Sequence, residues 1–469
     1  MSAHHDKAAR NWAAVLSQSL VLAGCLCAGS AWAAGVEYPD NGTVAIGRGG
    51  AWAANPSDGL AFQYNPAGLA QQHGLNLTLD GRAAQQHLAF TSTSIPGSAK
   101  VENSAPPFFG PSACLSYGFG AVGPLSELTL ALGATGPSSI GKLELPAQGA
   151  QRYAIQSTDY FIAYYSAAVA VGWSDWLRLG LTFQLAHGNA TFTQAVYSGT
   201  APGTDPKNDT TATFAGSNGI KPAFVLGATV LPTKTLAIGL SWRPRLDFAA
   251  DGTLKTVGPD WAKTSSWQVG DTAQLQLKFA DMVRLGAQWR PRPDWEVEVD
   301  AVYEAWSALK EVRIKTSNIN VKTSFDTSKP VPDIVFPHVF QDTISLRLGG
   351  EHELLADRLR LRAGYMYETS AVPTKYVSVD FPNWARHVAS VGASLHVYDA
   401  WIDLAYAHHF VATQTVTDSV IEQKETPAVL PGMDAPKAAV VGNGTYEAGM
   451  DIVSLALRVP FGAKASAKP

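Results

Sequence analysis

The stretch "WLRLGLTFQLAH", residues 176–187, alternates strictly: Leu177, Leu179, Leu181, Phe183 and Leu185 stand against Arg178, Gly180, Thr182 and Gln184. Successive side chains on a strand point to opposite faces, so this spacing predicts a strand with one apolar and one polar side. The pattern recurs. "DWEVEVDAVYEAW" (294–306) sets Trp295, Val297, Val299, Ala301 and Tyr303 against Glu296, Glu298, Asp300, Val302 and Glu304. "RLRLRAGYMYE" (358–368) sets Leu359, Leu361, Ala363, Tyr365 and Tyr367 against Arg360, Arg362, Gly364, Met366 and Glu368.

Working outward, about fourteen segments carry this alternation: 74–92, 111–122, 125–136, 152–173, 176–198, 211–231, 235–256, 271–290, 295–314, 340–354, 358–370, 386–397, 401–414 and 446–461. Alternate connections are very short: Gly123-Pro124, Ser174-Asp175, Pro232-Thr233-Lys234, 291–294, 355–358 and 398–400. The intervening ones, including 93–110, 137–151, 315–339 and 415–445, are long and polar. Short periplasmic turns and long outer loops are the habit of an outer-membrane barrel, and a soluble sandwich has no reason to alternate so regularly. Trp173 with Trp176, Trp289 with Trp295, and Tyr398 with Trp401 flank three of the short turns, as an interfacial girdle would. Simple packing of turn tryptophans on a soluble core is the plainer alternative. The last strand ends on the aromatic Phe461, the kind of end that barrel-insertion machinery reads, followed by a tail at 462–469. The expected fold is all-β: a transmembrane antiparallel β-barrel over 74–461.

The 469-residue chain is 46% hydrophobic and 16% charged, with a formal charge of -4 and mean hydropathy near zero. It has no dense Lys/Arg face to neutralise phosphates, which argues against nucleic acid as a partner. Residues 1–33 read as a cleaved export signal, with Lys7 and Arg10, a mostly apolar 12–30, and Ala31-Trp32-Ala33. Leu22-Ala23-Gly24-Cys25 competes as a lipoprotein box in which Cys25 would be lipidated. After ordinary cleavage Cys114 alone remains, so no internal disulfide forms and a structural role is expected for it. No later stretch reaches the roughly 20 apolar residues of a spanning helix. A soluble envelope protein and a closed barrel are the two options left.

With the apolar set facing lipid, the lumen receives Arg178, Arg243, Lys278, Arg284, Glu296, Glu298, Asp300, Glu304, Arg347, Glu351, Arg360 and Arg362. Lys278 and Arg284 are expected near the acidic run at 296–304. Such a charge ladder pairs across strands and holds a plug, or an arginine in it (Arg284, Arg360 or Arg362) takes a carboxylate head group. In "DYFIAYYSAAVAV" (159–171) the alternation leaves Tyr160, Ile162 and Tyr164 facing inward. A channel for apolar molecules has use for that patch, and packing against a plug explains it equally well. No Gly-x-Ser-x-Gly elbow, His-Glu-x-x-His pair, Cys-x-x-Cys or phosphate-binding glycine loop is present outside the leader, so no enzyme, metal site or cofactor is expected. His408 and His409 are adjacent and fall on opposite faces of a strand, which opposes a shared metal.

Residues 34–73 lack a period and are rich in Gly and Ala, as in "GRGGAWAANPSDGLAFQYNPAGLA" (47–70). Small residues allow close backbone packing in a crowded lumen, and Pro66 biases Asn65 to an extended conformation. The segment reads as a plug, or hatch. Its Gly47-Arg48-Gly49-Gly50-Ala51, Asp58-Gly59-Leu60-Ala61 and Asn65-Pro66-Ala67-Gly68-Leu69, with barrel stretches 124–141, 280–307 and 359–395, resemble the FadL/TodX family of outer-membrane transporters for long-chain fatty acids and aromatic hydrocarbons. The resemblance covers nearly all of 34–461. It implies a monomer whose apolar substrate is caught by outer loops, moves inside the barrel, and leaves sideways where the third strand is kinked beside the hatch. Gly47, Arg48, Gly49, Asn65, Pro66 and Ala67 would form the hatch signature, and Gly133 and Gly136 are candidate kink positions, an ordinary strand end being the alternative. Loops 199–210 and 257–270, which by order would make the capture groove, are short and polar. The expected function is passive uptake of hydrophobic small molecules, long-chain fatty acids first, with outer-membrane lipids and lipopolysaccharide as surroundings. Alternatives are aromatic hydrocarbons as the substrate, or a structural or adhesive barrel that transports nothing. A general porin fits a plugged lumen poorly.

Overall fold

Fourteen antiparallel strands close into one barrel in the computed structural model, which describes residues 40–136, 141–199, 203–324, 326–355, 357–424 and 438–461. The export signal at 1–33, the first hatch residues at 34–39 and the tail at 462–469 lie outside the described residues. The strands are β1 (Gly74–Ser92), β2 (Phe108–Val122), β3 (Leu125–Thr135), β4 (Ser157–Trp173), β5 (Leu177–Tyr197) and β6 (Asp209–Thr233). Three more are each made of two collinear pieces: β7 (Leu236–Arg243 and Asp247–Val257), β8 (Thr272–Lys278 and Met282–Arg292) and β9 (Trp295–Glu304 and Glu311–Thr316). The set ends with β10 (Thr343–Leu355), β11 (Leu359–Glu368), β12 (Arg386–Val397), β13 (Ala400–Val411) and β14 (Gly444–Phe461). Closure runs through β1, paired with β2 on one side (Gly74 opposite Gly118) and with β14 on the other (Leu75 opposite Phe461). No helix among the described residues is long and apolar enough to cross a membrane.

The lower, turn-side half of the wall follows the expected phase. Leu79, Leu132, Leu181, Leu240, Leu285, Leu348 and Leu455 are exposed on the outer belt, while their strand neighbours are turned in. Trp173, Trp176, Trp289, Trp295 and Tyr398 are exposed beside the short turns, at one end of the barrel. Trp401 is half-buried and stacks on His396 at 4.6 Å.

The upper half reverses the phase, which corrects the expectation for Lys278. The sequence reads 235–256, 271–290 and 295–314 as unbroken strands; each is divided. Pro244, with no N–H to give a ladder, follows the first piece of β7. Phe279-Ala280-Asp281 separate the pieces of β8, and a 3-10 turn at Trp306–Ala308 separates those of β9. Below the break in β8, Met282, Arg284 and Gln288 are buried in the lumen; above it Ala273, Leu275 and Leu277 are buried and Lys278 is exposed on the outside. In β7 the buried set changes from Ala237, Ser241 and Arg243 to Phe248, Ala250 and Leu254, with Asp247, Asp251 and Lys255 exposed. A wall that leaves the bilayer meets water outside, so its apolar face turns inward.

Inside the lower half lies the hatch, with α1 (Thr43–Gly47), α2 (Ala61–Tyr64) and a 3-10 turn at Pro66–Gln71. These elements are too short to hold themselves together in water. They are held by the wall.

Candidate functional site

Arg48 is the hub of the hatch and is fully buried. Its Nη1 lies 2.5 Å from Glu296 Oε1, its Nη2 3.2 Å from Glu298 Oε2, and its Nε donates to Ala51 O. The acidic run on β9 also takes hatch amides: Asp300 accepts from Trp52 N and Ala53 N at 2.8 and 2.9 Å, and Glu298 accepts from Ala54 N at 2.7 Å. The partner of that run is thus the hatch, together with Arg290, rather than the expected Lys278 and Arg284. A second anchor joins Arg347 to Asp40 at 2.6 Å and to Gly50 O at 3.1 Å. Buried charges are tolerable when paired and hydrogen-bonded in this way.

The signature Asn65-Pro66-Ala67 forms the joint between the two helical turns. Asn65 Nδ2 donates to Ala53 O and to Ala228 O on β6, and its Oδ1 accepts from Ala67 N. Pro66 opens the 3-10 turn, where its missing N–H costs nothing. Gly49 adopts φ +63°, and a Cβ there would lie 2.8 Å from Tyr365 N on β11. That position requires glycine on both counts. Gly47 likewise sits against Gly392 of β12.

Above the hatch the lumen is filled by an apolar cluster. Tyr160, Ile162 and Tyr164 of β4 are buried in it, as the alternation predicts, with Phe248, Phe279, Trp306 and Phe340. Tyr160 meets Phe248 edge-on at 5.8 Å and lies parallel to Phe279 at 6.4 Å. Outer segment 369–385 folds inward over this cluster through Val372, Phe381 and Trp384.

Arg284 marks the boundary between the two fillings. It is 2% exposed, its guanidinium stands 5.3 Å from the ring of hatch Tyr64, and Phe279 lies five residues above it on the same strand. Its Nε and Nη1 are buried without a hydrogen-bond partner among the described residues. Arg360 and Arg362 sit elsewhere, at the turn end of β11. Arg362 Nε pairs with Glu351 at 2.6 Å and its Nη1 with Asp403 at 3.5 Å, and Arg360 covers the Trp401 ring at 4.3 Å.

The third strand is interrupted at the height of the apolar cluster. Among the described residues its ladder with β4 ends at Thr135 opposite Tyr164, and pairing resumes with Lys142 opposite Asp159. A Cβ on Gly133 would collide with the ring of hatch Phe62, and one on Gly136 would lie 2.9 Å from Ala163 Cβ. Residues 137–140 lie outside the described residues. Cys114 is a buried free thiol packed with Leu60 and Phe62. His409 is buried inside while His408 faces outward onto Asp451 at 2.7 Å.

The sequence profile of the outer membrane protein transport protein family (OMPP1/FadL/TodX) matches residues 24–446. The chain belongs to this family. A search of curated proteins finds no match. Among solved structures, a Pseudomonas aeruginosa FadL homologue superposes with TM-score 0.70 at 16% identity, covering 91% of this chain and all of that one. The Pseudomonas putida toluene transporter TodX gives 0.63 at 13% identity, covering 91% and 99%. The Ralstonia pickettii toluene transporter TbuX gives 0.61 at 14% identity, covering 90% and 99%. At such identities the likeness carries the fold alone, a FadL/TodX-type barrel; the outer membrane as its location comes from the family.

For a FadL/TodX barrel, the outer loops hold one surprise. Segment 257–270, read as polar, exposes Val257, Trp261, Trp267 and Val269. Trp261 Nε1 donates to Asn208 Oδ1 at 3.2 Å, joining this segment to the other loop expected in the capture groove. Alternation finds strands and misses such isolated side chains, which only the loop's own folding brings to the surface.

Proposed function

We propose that this chain is a passive channel for long-chain fatty acids, monomeric and emptying sideways into the membrane. The observation that carries the reading is Arg284, a buried guanidinium with two N–H groups unpartnered at the foot of an apolar column. A buried donor without a partner is costly, and a charged one more so. A carboxylate suits it, since its negative charge and oxygens match a buried guanidinium with donors left over. The alkyl chain would then lie upward among Tyr160, Phe248 and Phe279. Exit would follow the interrupted β3, beside Gly133 and Gly136, where β4, paired with β5 on its other edge, has no partner on its β3 edge between Asp159 and Tyr164 among the described residues.

A second reading, carriage of monoaromatic hydrocarbons, is favoured by the aromatic packing around Tyr160, which needs no charge. Uptake of labelled oleate and toluene into cells lacking their own transporter separates the two. Arg284→Gln is expected to lower oleate uptake at least about tenfold, the scale of a charge-assisted contact, and to leave toluene unchanged. Equal uptake of oleate by both proteins, at equal outer-membrane abundance, sinks the fatty-acid reading. Uptake of neither compound by the parent barrel points to a structural or adhesive role.

A further inference from the structure

Beneath the hatch, at the turn end of β5 to β8, lies a cavity of about 400 Å³ that no transport step above uses. Its roof is Asn55 and Gln71 of the hatch; its walls include Arg178, Lys234 and Arg290. That size falls within the range of small-molecule sites. The charges are unbalanced. Arg290 is satisfied by Glu296, with Nε at 2.8 Å and Nη2 at 2.7 Å. Arg178 holds only a neutral oxygen, Asn55 Oδ1 at 2.9 Å, and Lys234 makes no ion pair or hydrogen bond among the described residues. Asp175 is the one carboxylate in the lining, and Glu127 acts on Arg178 from outside it.

The rim is amphipathic. Trp176 is in the lining and half exposed, Leu231 and Leu236 stand beside it, and Trp289 is exposed next to Arg290. Exposed tryptophans mark the depth of lipid head groups, and uncompensated cations at that depth face their phosphates. An occupant with an anionic head and an apolar body matches both walls. Free carboxylic acids belong to the upper column; here two cations and one side-chain amide with a free N–H, that of Asn55, converge, a set suited to the several oxygens of a phosphate.

We propose that this cavity is a phosphate site at the periplasmic rim that holds the head group of an inner-leaflet glycerophospholipid. Arg178 and Lys234 hold the phosphate, and the second N–H of Asn55 Nδ2 reaches a remaining oxygen, while Gln71, whose Nε2 donates to Pro56 O and Gly68 O, closes the roof. Because Asn55 also donates to Gln288 Oε1 at 3.1 Å, the lipid would be tied to the underside of the hatch.

The barrel, purified in a nonionic detergent, would be titrated with dioleoyl phosphatidylglycerol, dioleoylglycerol and inorganic phosphate, and bound molecules counted by native mass spectrometry. One phosphatidylglycerol per barrel is expected to be retained, with dioleoylglycerol lost. Retention should weaken about tenfold in the R178Q/K234Q double variant. Lys234→Gln alone lies in an exposed turn and should weaken it in a barrel whose heat-modifiable gel mobility shows intact folding. Displacement of the lipid by inorganic phosphate would support the anion site with free phosphate as its source. Retention of dioleoylglycerol as strong as that of phosphatidylglycerol, or unchanged binding in the double variant, would overturn it.

Discussion

The lower and upper halves of the lumen are filled by opposite chemistry inside one barrel. Below, the hatch is fixed by buried ions and amides, with Arg48 between Glu296 and Glu298 and Arg347 on Asp40. Above, the filling is aromatic and aliphatic, from Tyr160 to Phe340. The cause lies outside the barrel as much as inside. Where the outer face meets lipid it must be apolar, which leaves the alternate set polar and in need of partners; where it meets water the faces exchange. A plug that brings arginine and free backbone amides serves the first half, and the second closes on itself.

The largest test of that contrast removes the hub. Arg48→Leu leaves Glu296 and Glu298 facing a buried aliphatic chain, a loss of about 3–5 kcal/mol for a broken buried pair. We expect the hatch to loosen, so that cells making the variant admit a bulky antibiotic that the parent barrel excludes, at equal outer-membrane abundance. An unchanged barrier would show that the backbone amides on Asp300 and Glu298 suffice.

Next comes the phase reversal itself. Leu275→Ala, inside the upper half, should cost about 2–4 kcal/mol as a cavity in a packed core. The outward Lys278→Leu should stay within about 0.5 kcal/mol. The expected order inverts the one that continuous alternation from Leu285 would assign. Thermal unfolding followed by gel mobility reads both, and equal effects at the two positions would erase the distinction between the halves.

That inversion also shows what was legible in the sequence. Strands, turns and the girdle follow from period two, and the hatch from its lack of any period. Period two fixes that two faces differ, however, and not which of them is wet. The faces exchange at Pro244 and at Phe279-Ala280-Asp281, short breaks inside segments that read as continuous. Depth was equally hidden. Arg284, Arg360 and Arg362 share an inward phase, yet Arg360 and Arg362 lie at the turn end among Glu351 and Asp403, whereas Arg284 meets the apolar column. The partner of the acidic run could not be read from spacing, since Arg48 is 248 residues from Glu296.

A smaller effect tests where hatch and exit strand touch. Gly133→Val forces a side chain onto Phe62, an overpacking cost of about 1–3 kcal/mol. Lost uptake in this variant has two explanations, a blocked wall or a displaced hatch. Adding Phe62→Ala separates them. Recovery of uptake in the double variant would assign the loss to hatch packing, and continued loss would assign it to the opening beside β3. Gly136→Val, which meets Ala163 rather than the hatch, should block uptake without any antibiotic leak.

The smallest effect concerns an exception to the contrast. The upper half contains buried ionic contacts, Arg152 Nε with Asp209 Oδ2 at 2.5 Å and His338 Nε2 at 3.3 Å from Asp380 Oδ2. Burial pushes the Asp380 carboxyl up, but His338, Ser378 and the Phe381 amide outweigh it, and the group is held below the ordinary carboxylate value. A depressed folded-state value means that the contribution is present above the unfolded value of about 3.9 and is lost as pH falls through the lower folded one. The inward fold of 369–385 should therefore hold through mild acid and loosen only below the usual carboxylate range. Proteolysis of that segment as a function of pH reads this directly. Asp380→Asn keeps an oxygen for the Phe381 amide and should cost about 1 kcal/mol, with the acid-induced step gone. If the step persists in Asp380→Asn, the acid sensitivity belongs to another group, and the His338–Asp380 contact does not hold the segment.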